Sequence, residues 1–312
     1  MRIVAALGGN ALLQRGESPD ADIQQAHVAS AVRALTPLLR HDQVIITHGN
    51  GPQVGVLAVE SAGDRALSHP FPFDVLGAQT QGMIGYWLAQ ELSTVLAGRQ
   101  VGCLICRTLV RADDPALAHP TKFVGPVYAE ATAKRLAARH RWDIRKDGTA
   151  WRRVVPSPEP TAVVELDLIR LLVSSGAVVI CAGGGGVPVV EGTDGALHGI
   201  EAVLDKDLTA ALLATALGAD MLLLLTDVTA VIDGYGTPRA RPIRHATPAQ
   251  LRARSFPAGS MGPKVEAVCR FVEATSRPAA IGRLDDAAAL LDGTAGTIVS
   301  TGARGRSPGP FR

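Results

Sequence analysis

Residues 3–10 read IVAALGGN, an apolar run of strand length that ends in two glycines. The same pattern returns as VIITHGNG at residues 44–51 and as AVVICAGGGG at residues 177–186. Between these runs lie stretches in which apolar residues recur with helical spacing. Alternating strands and helices predict an α/β fold, in which a mainly parallel sheet is covered by helices on both faces.

The predicted elements cover most of the chain. Strands are expected at residues 3–7, 44–47, 101–106, 177–181 and 221–225, and helices at 21–39, 75–96, 204–217 and 262–274. Residues 113–160 break this rhythm with six prolines. Within them, two strand-like runs at 144–146 and 151–155 flank a glycine-containing turn, which predicts a hairpin. We therefore expect a small subdomain that protrudes from the main sheet.

The composition excludes several classes of protein. Apolar residues form 47% and charged residues 19% of the 312 residues, which argues against general disorder. A net charge of +2 without a long basic run argues against a nucleic-acid partner, and apolar runs of strand length argue against a membrane span. The first residues lack a signal-peptide pattern, and four cysteines do not suggest a disulfide framework. We expect a protein of the reducing cytoplasm.

Glycine clusters follow three predicted strands, at residues 8–9, 49–51 and 183–186. Ligands of parallel sheets bind beyond the carboxyl ends of the strands, where glycine lets the backbone approach a phosphate. Any one cluster could equally be a turn, but three at equivalent strand ends favour a phosphate-rich ligand. The GxxxxGK[ST] motif of P-loop proteins is absent, and GNGPQVG at residues 49–55 departs from the GxGxxG spacing of dinucleotide-binding folds.

Lysine is rare here, since only five of the 31 basic residues are lysine. Lys206 and Lys264 open predicted helices beside glycine loops, and Lys122 lies in the proline-rich region. Phosphoryl transfer depends on positioning and positive charge, which such lysines can supply. Asp205 and Asp207 could orient Lys206, bind Mg²⁺ through water, or simply cap the helix.

Other polar residues carry weaker signals. Lys134 and Lys146 lie in polar surroundings, and we expect them to be solvated. Cys103 and Cys106 have CxxC spacing, but they lie in a predicted apolar strand without a second pair, which favours buried thiols over a metal site. His48 lies among the glycines, where a turn or packing role is at least as well supported as chemistry.

Eight segments follow one another in the order of a known family. They are ALGGNAL (6–12), HGNGPQVG (48–55), TQGMIGYW (80–87), WRRVVPSP (151–158), AGGGGVP (182–188), EAVLDKD (201–207), LTDV (225–228) and GSMGPK (259–264). Over about residues 3–300 the chain resembles the amino acid kinase family. WRRVVPSP and GSMGPK together resemble the members that phosphorylate carbamate, rather than those that act on acetylglutamate, aspartate or uridylate.

The resemblance implies a three-layer αβα sandwich with a protruding subdomain at about 113–160. Residues 1–200 would form a carbamate lobe and residues 201–312 a nucleotide lobe. The implied reaction is reversible phosphoryl transfer between ATP and carbamate, giving ADP and carbamoyl phosphate. Mg²⁺ would be carried by the nucleotide rather than by a metal site of the protein. Many members make ATP this way during arginine breakdown, as homodimers. Another small-acid kinase of this fold and a non-catalytic nucleotide-binding relative remain as alternatives.

The resemblance also implies residue roles. Lys206, oriented by Asp205, would neutralise the phosphoryl group in flight, Lys264 would bind ATP phosphates, and Lys122 would close over carbamoyl phosphate as a lid. The expected ligands of the carbamate and phosphoryl groups are Gly8, Gly9, Asn10, Gly49, Asn50 and Gly51. The expected nucleotide contacts, besides Lys206 and Lys264, are Gly184, Gly185, Thr226, Asp227, Val228, Tyr235, Gly236, Pro238 and Met261.

Three features depart from the family pattern. Phe123 follows Lys122 where proline is usual, which could alter closure of the lid. The segment after Val228 lacks an aromatic residue often found there, so nucleotide contacts at that point could differ. Residues 302–312 are rich in glycine, proline and arginine and lie beyond the pattern, and we expect this tail to be frayed.

Overall fold

The computed structural model describes residues 1–14, 16–257 and 259–302, and the predicted frayed tail from residue 303 onward lies outside them. The helices are α1 (Ala21–Leu39), α2 (Gly51–Gly63), α3 (Phe73–Val95), α4 (Glu130–His140), α5 (Leu166–Ser174), α6 (Lys206–Ala216), α7 (Pro248–Arg252), α8 (Met261–Thr275) and α9 (Ala287–Leu291). The strands are β1 (Arg2–Leu7), β2 (Gln43–His48), β3 (Val101–Cys103), β4 (Arg107–Val110), β5 (Lys122–Tyr128), β6 (Asp143–Asp147), β7 (Ala150–Val155), β8 (Pro160–Val163), β9 (Val178–Ile180), β10 (Val187–Glu191), β11 (Leu197–Gly199), β12 (Met221–Thr226), β13 (Ile232–Asp233), β14 (Arg241–Pro242), β15 (His245–Ala246), β16 (Ala279–Arg283) and β17 (Thr297–Val299).

The main sheet has eight strands in the order β15-β17-β16-β12-β1-β2-β9-β3. Its neighbouring strands are parallel except for β16 and β17. Side chains of β1 alternate between two cores: Val4 packs with α5, α6 and α8, whereas Ile3 packs with α1, α3 and α9. The prediction of a three-layer, mainly parallel α/β fold is therefore confirmed.

The helix predicted at residues 21–39 has these bounds in the structure. Its stripe of Val28, Val32, Leu35 and Leu39 is buried against the sheet. Burial of each such side chain stabilises the fold by about 1.5–3 kcal/mol relative to exposure. The helical period of apolar residues was therefore sufficient to predict this element.

The strand predicted at residues 101–106 is wrong in its second half. β3 ends at Cys103, although Leu104 N still donates to Ile180 O of β9 at 2.9 Å. Cys106 N is instead bound by Gln81 Oε1 at 2.9 Å, so the backbone leaves the main sheet and joins a second one. Cys106 is buried as predicted, but Cys103 is exposed.

The protruding subdomain is an antiparallel sheet of β5, β7 and β6 covered by α4, and we call residues 122–155 the arm. The predicted hairpin is confirmed, with Asp147 opposite Ala150 and Gly148 at φ +63° in the turn. The arm packs on α2 at two glycines, because a Cβ atom on Gly55 would lie 2.2 Å from Gly125 Cα. Any side chain at position 55 would therefore push the arm away from the body.

The other strands form a four-stranded sheet, β11-β10-β4-β8, and a pair, β13 and β14. The predicted division into lobes at residue 200 stays a prediction. The main sheet is shared by both parts of the chain, because β1 pairs with β2 on one side and with β12 on the other. Within the described residues, no helix combines the length and apolar character needed to cross a membrane.

Candidate active site

The glycine loops that follow β1, β2 and β9 meet at one end of the main sheet. A Cβ atom on Gly49 would lie 2.7 Å from Gly9 N and 3.4 Å from Lys206 Cδ. A Cβ atom on Gly184 would lie 2.2 Å from Asn50 Nδ2. The loops thus approach more closely than side chains would allow, and we call the surface formed by residues 8–9, 49–51 and 183–186 the glycine floor.

Backbone hydrogen bonds hold two of these loops in place. Gly8 N donates to Leu225 O at 2.7 Å, and Gly49 N donates to Leu7 O at 2.9 Å. α2 begins at Gly51, and its first turn presents backbone N–H groups as helix N-termini do. Asn50, just before α2, donates through Nδ2 to Thr80 Oγ1 of α3 at 2.8 Å. The side chain of Asn10 lies outside what the structure describes.

The loop after β9 has an unusual backbone. Ala182 lies in the left-handed region at φ +50°, and Gly184, Gly185 and Gly186 follow at +65°, +93° and +88°. Gly185 O accepts hydrogen bonds from the hydroxyl of Thr108 at 2.8 Å and from that of Thr209, in α6, at 3.1 Å. Since α6 begins at Lys206, the Thr209 bond fixes this loop relative to the lysine.

Three lysines form ion pairs with two aspartates at the start of α6. Lys206 Nζ lies 2.5 Å from Asp207 Oδ1, and Lys264 Nζ lies 2.8 Å from Asp207 Oδ2. Lys122 Nζ, from the arm, lies 2.5 Å from Asp205 Oδ2. The structure therefore brings the three predicted ammonium groups to one pair of neighbouring carboxylates.

The prediction that Asp205 orients Lys206 is wrong, because the ion-pair partner of Lys206 is Asp207. Asp205 Oδ1 instead accepts from the backbone N–H groups of Asp207 at 3.0 Å and Leu208 at 3.4 Å, so it caps α6. Its other oxygen holds Lys122. Helix capping is one of the roles that the sequence leaves open for these aspartates, and Asp205 combines it with an ion pair.

Burial and charge act against each other in this cluster. Burial would raise the pKa of Asp207, but attraction by Lys206 and Lys264 lowers this pKa well below its ordinary value. Burial lowers the pKa of Lys206, and Asp207 opposes the change. Burial would also lower the pKa of Lys264, but Asp207 outweighs it and the pKa is raised. Two ammonium groups thus share one carboxylate, which leaves the buried group with net positive charge for an incoming anion.

His48 is a buried part of the glycine floor. Its Nδ1 lies 3.0 Å from Gly49 O, and a Cβ atom on Gly183 would lie 2.3 Å from its Nε2. Burial lowers the pKa of His48 to about 4, with a further lowering by Lys206 and an opposing effect of the Gly49 hydrogen bond. The imidazole is therefore neutral at pH 7, which agrees with the packing role considered for it.

The predicted nucleotide contacts lie at the end of β12 and beyond it. Thr226 Oγ1 donates to Asp227 Oδ1 at 3.0 Å. The negative charge of Asp227 contributes to raising the pKa of Lys264. Val228 is half-buried, whereas Tyr235, Gly236 and Pro238 lie in an exposed turn between β13 and β14, with Tyr235 76% exposed. Met261 begins α8 and packs against the core, as a methionine more often does.

Two buried polar side chains of α3 support the site without having been predicted. Thr80 accepts the hydrogen bond of Asn50. Gln81 donates through Nε2 to the backbone oxygen of Cys106 at 3.1 Å, and its Oε1 accepts from the backbone nitrogen of the same residue. Both belong to the TQGMIGYW segment at residues 80–87, for which the sequence suggests a family resemblance and no individual role. The available signal was the position of Thr80, which continues the buried apolar stripe of Leu76, Ile84 and Leu88 at helical spacing.

The side chains present fit a metal carried by a ligand better than a metal bound by the protein. Both oxygens of Asp207 are engaged by lysines, and those of Asp205 by Lys122 and the backbone of α6. Within residues 1–14, 16–257 and 259–302, no group of three or more histidine, cysteine, aspartate or glutamate side chains could hold a metal ion.

Comparisons with known proteins agree with one another. A family model described as "Amino acid kinase family" matches residues 1–283. The chain is 50% identical over 305 residues to a carbamate kinase of Rhizobium meliloti, covering 96% of this chain and 94% of that protein. It is 49% identical over 298 residues to a carbamate kinase of Escherichia coli K12, covering 96% and 99%. The carbamate kinase of Giardia lamblia bound to AMP-PNP matches with a TM-score of 0.87 at 37% identity, covering 96% and 98%.

Proposed function

The chain belongs to the amino acid kinase family, and from this premise we propose that it is a carbamate kinase. It transfers a phosphoryl group reversibly between ATP and carbamate, giving ADP and carbamoyl phosphate. The observation that carries the proposal is the buried pair of Lys206 and Lys264 on Asp207 beside the glycine floor. Such a site offers fixed positive charge where a phosphoryl group would pass.

The acceptor is small and offers few atoms to bind. Backbone N–H groups of Gly9, Asn50 and Gly51 would hold the carbamate and the transferring phosphoryl group. The N–H groups of Gly8 and Gly49 are already donated to Leu225 O and Leu7 O, so these two glycines would contribute close approach of the backbone rather than donors. Asn50, held by Thr80, and the amide of Asn10 would contribute side-chain donors. A carbamate oxygen is already anionic, so its attack on the γ-phosphorus needs no general base, and a neutral, buried His48 is compatible with this chemistry.

Lys206 would lie between the acceptor and the nucleotide. Its Cδ approaches Gly49, while Asp207 holds its ammonium group together with that of Lys264. As the bond from the γ-phosphorus to the bridging oxygen of ADP breaks, Lys206 would neutralise the phosphoryl oxygens and Lys264 the β- and γ-phosphates. Lys122 would approach the same group from the arm and hold carbamoyl phosphate.

Mg²⁺ would enter with the nucleotide and neutralise charge on the phosphate oxygens. Asp205 and Asp207 would act on it at most through water, because their oxygens are engaged. We expect the adenosine to be bordered by Gly184, Gly185, Thr226, Asp227, Val228 and Met261, with Tyr235, Gly236 and Pro238 in the nearby turn.

We also expect residues 1–200 to bind the acceptor and residues 201–312 the nucleotide. A homodimer and use of the reaction to make ATP in arginine breakdown follow from the resemblance alone and stay predictions. A cytoplasmic location would keep the four free cysteines reduced. Light scattering after size-exclusion chromatography tests the dimer.

The deciding experiment is ATP synthesis from MgADP and carbamoyl phosphate in the presence of the protein. Acetyl phosphate in place of carbamoyl phosphate, and the Lys206→Ala variant, are the controls. In the opposite direction, ADP release from ATP is compared for carbamate, N-acetylglutamate and aspartate. Preference for another acid would favour a different small-acid kinase, and nucleotide binding without transfer would favour a non-catalytic relative.

A further inference from the structure

The WRRVVPSP segment at residues 151–158 is one of the two that resemble the carbamate-phosphorylating members of the family, but the reaction described above uses none of its side chains. Its second arginine, Arg153, lies in β7 of the arm, and its side chain is 17% exposed. The guanidinium carbon lies 4.6 Å from the ring centre of Phe73 and 4.6 Å from that of Trp142. Phe73 belongs to α3 in the body and Trp142 to the arm, so Arg153 joins the two parts.

Arg153 also reaches a carboxylate of the body. Its Nη2 lies 3.3 Å from Glu201 Oε1, and the other oxygen of Glu201 accepts from Phe73 N at 2.8 Å. Phe73 is itself 1% exposed, so it offers a fixed surface. Arg153 therefore rests on a rigid ring while its charge meets a carboxylate that is hydrogen-bonded to the same residue.

The strand pairing carries this contact to the lysine of the arm. In the β5–β7 pair, Arg153 lies opposite Val124, and Val155 lies opposite Lys122. Lys122 meets Asp205, four residues after Glu201. Two contacts from adjacent strands of the arm thus end on one short segment of the body, so moving Arg153 would move Lys122.

The neighbouring Arg152 provides a contrast. It donates to Gly125 O at 2.7 Å, pairs with Asp147 at 3.3 Å, and lies 5.9 Å from the ring centre of Phe123. All three partners belong to the arm. Arg152 therefore holds the arm together, whereas Arg153 holds the arm to the body.

We propose that Arg153 is a positioning residue, which fixes the arm on α3 and thereby places the ammonium group of Lys122 over the transferring group. This inference rests on the proposed function of Lys122. A planar guanidinium fits between two rings while its edge reaches Glu201, which the compact ammonium of lysine does not do. The role of Arg153 is exerted through Lys122 and not on the substrate itself.

The test measures kcat/KM for carbamoyl phosphate and KM for ADP in Arg153→Ala, Arg153→Lys, Arg152→Ala, Lys122→Ala and the double variant of Lys122→Ala with Arg153→Ala. We expect Arg153→Ala to lose about 10- to 100-fold in kcat/KM, with little change in KM for ADP, because a desolvated stacked cation is lost. Arg153→Lys should not restore kcat/KM, and the kcat/KM of Arg152→Ala should stay within about twofold of wild type. The double variant should equal Lys122→Ala, since Arg153 acts only through that lysine.

Additive losses in the double variant, full rescue by lysine, or equal losses for Arg152→Ala and Arg153→Ala would each overturn the proposal. Hydrogen exchange of β5 gives a readout that does not need activity: amides of β5 should exchange faster in Arg153→Lys than in wild type, with unchanged exchange in β1. Unchanged β5 exchange would also overturn it. An inactive wild type would contradict the proposed function, while the exchange experiment would still test the contact.

Discussion

Lys206 and Lys264 on the body and Lys122 on the arm carry the same charge, but they are held differently. The side chains of Lys206 and Lys264 are 12% and 16% exposed and share Asp207. That of Lys122 is 35% exposed and meets Asp205 alone. Leaving a buried ammonium without its partner is costly, whereas an ammonium group that can reach solvent loses little when its ion pair opens. The body therefore fixes charge in place, while the arm can bring its charge to the site at small cost in stability.

Removing Lys206 is expected to have the largest effect on activity. Lys206→Ala should lower turnover by roughly two to four orders of magnitude, because a fixed charge at the transferring group is lost. Steady-state kinetics of ATP formation measures this loss. Near-normal turnover would contradict the role assigned to the buried pair and remove the main contrast with the arm.

Removing the shared carboxylate tests the body side through stability. Asp207→Asn leaves two buried ammonium groups without a partner and should cost about 3–5 kcal/mol in the free energy of unfolding. Asp205→Asn is the matched control, because asparagine also caps helices and the lysine left without its carboxylate, Lys122, is 35% exposed and can reach solvent, so the cost should be about 1 kcal/mol or less. Urea unfolding at pH 7 compares the two variants. Equal costs would mean that burial does not separate the two aspartates.

Acid should weaken the body through His48. Its pKa falls from 6.5 to about 4 on folding, so between these pH values the unfolded chain binds the proton and the folded chain does not. The contribution of neutral His48 to the free energy of unfolding is thus fully present above pH 6.5. About 3 kcal/mol of it is lost as the pH falls to 4. His48→Gln should remove that part of the pH dependence in urea titrations, whereas replacement of the exposed His69 should not. If the free energy of unfolding of His48→Gln still falls with pH as steeply as that of wild type, another group causes the acid sensitivity.

Removing the lysine of the arm is expected to have the smallest effect. Lys122→Ala should lower kcat/KM for carbamoyl phosphate by about 10- to 100-fold, and change the free energy of unfolding by less than about 1 kcal/mol. Lys134→Ala, which removes an exposed i,i+4 pair with Glu130 on the same arm, is the control and should leave activity unchanged. A stability loss as large as that of Asp207→Asn would erase the distinction between arm and body.

Sequence pattern predicted the elements whose composition the core decides. β1 and β2 are continuous apolar runs that are buried on both faces, and α1 and α8 carry apolar residues at helical spacing on the face that meets the core. α2 was not predicted, because Gly51, Pro52 and Gly55 weaken a helical pattern, although proline in the first turn is a helix-start signal. Gly55 is explained only by its contact with Gly125, which is distant in sequence.

The sequence predicted which residues form the site better than it predicted which lysine pairs with which aspartate. Scarcity of lysine selected Lys122, Lys206 and Lys264, and the structure brings all three to neighbouring aspartates. Which aspartate binds which lysine depends on the direction of α6, where Asp205 turns one oxygen back to cap the helix. Contacts made by Arg153 depend on how the arm docks, and no local spacing encodes that.

The central position of β1 has a consequence for biosynthesis. Ile3 pairs with Val44 on one side and with Met221 on the other. β1 is translated before both of its partners and therefore waits until β12 has been made before its second edge is covered. An unpaired apolar edge that persists so long is open to misassembly, and such distant pairing slows refolding. Recovery of the chain after dilution from denaturant should therefore improve when a chaperone shields that edge.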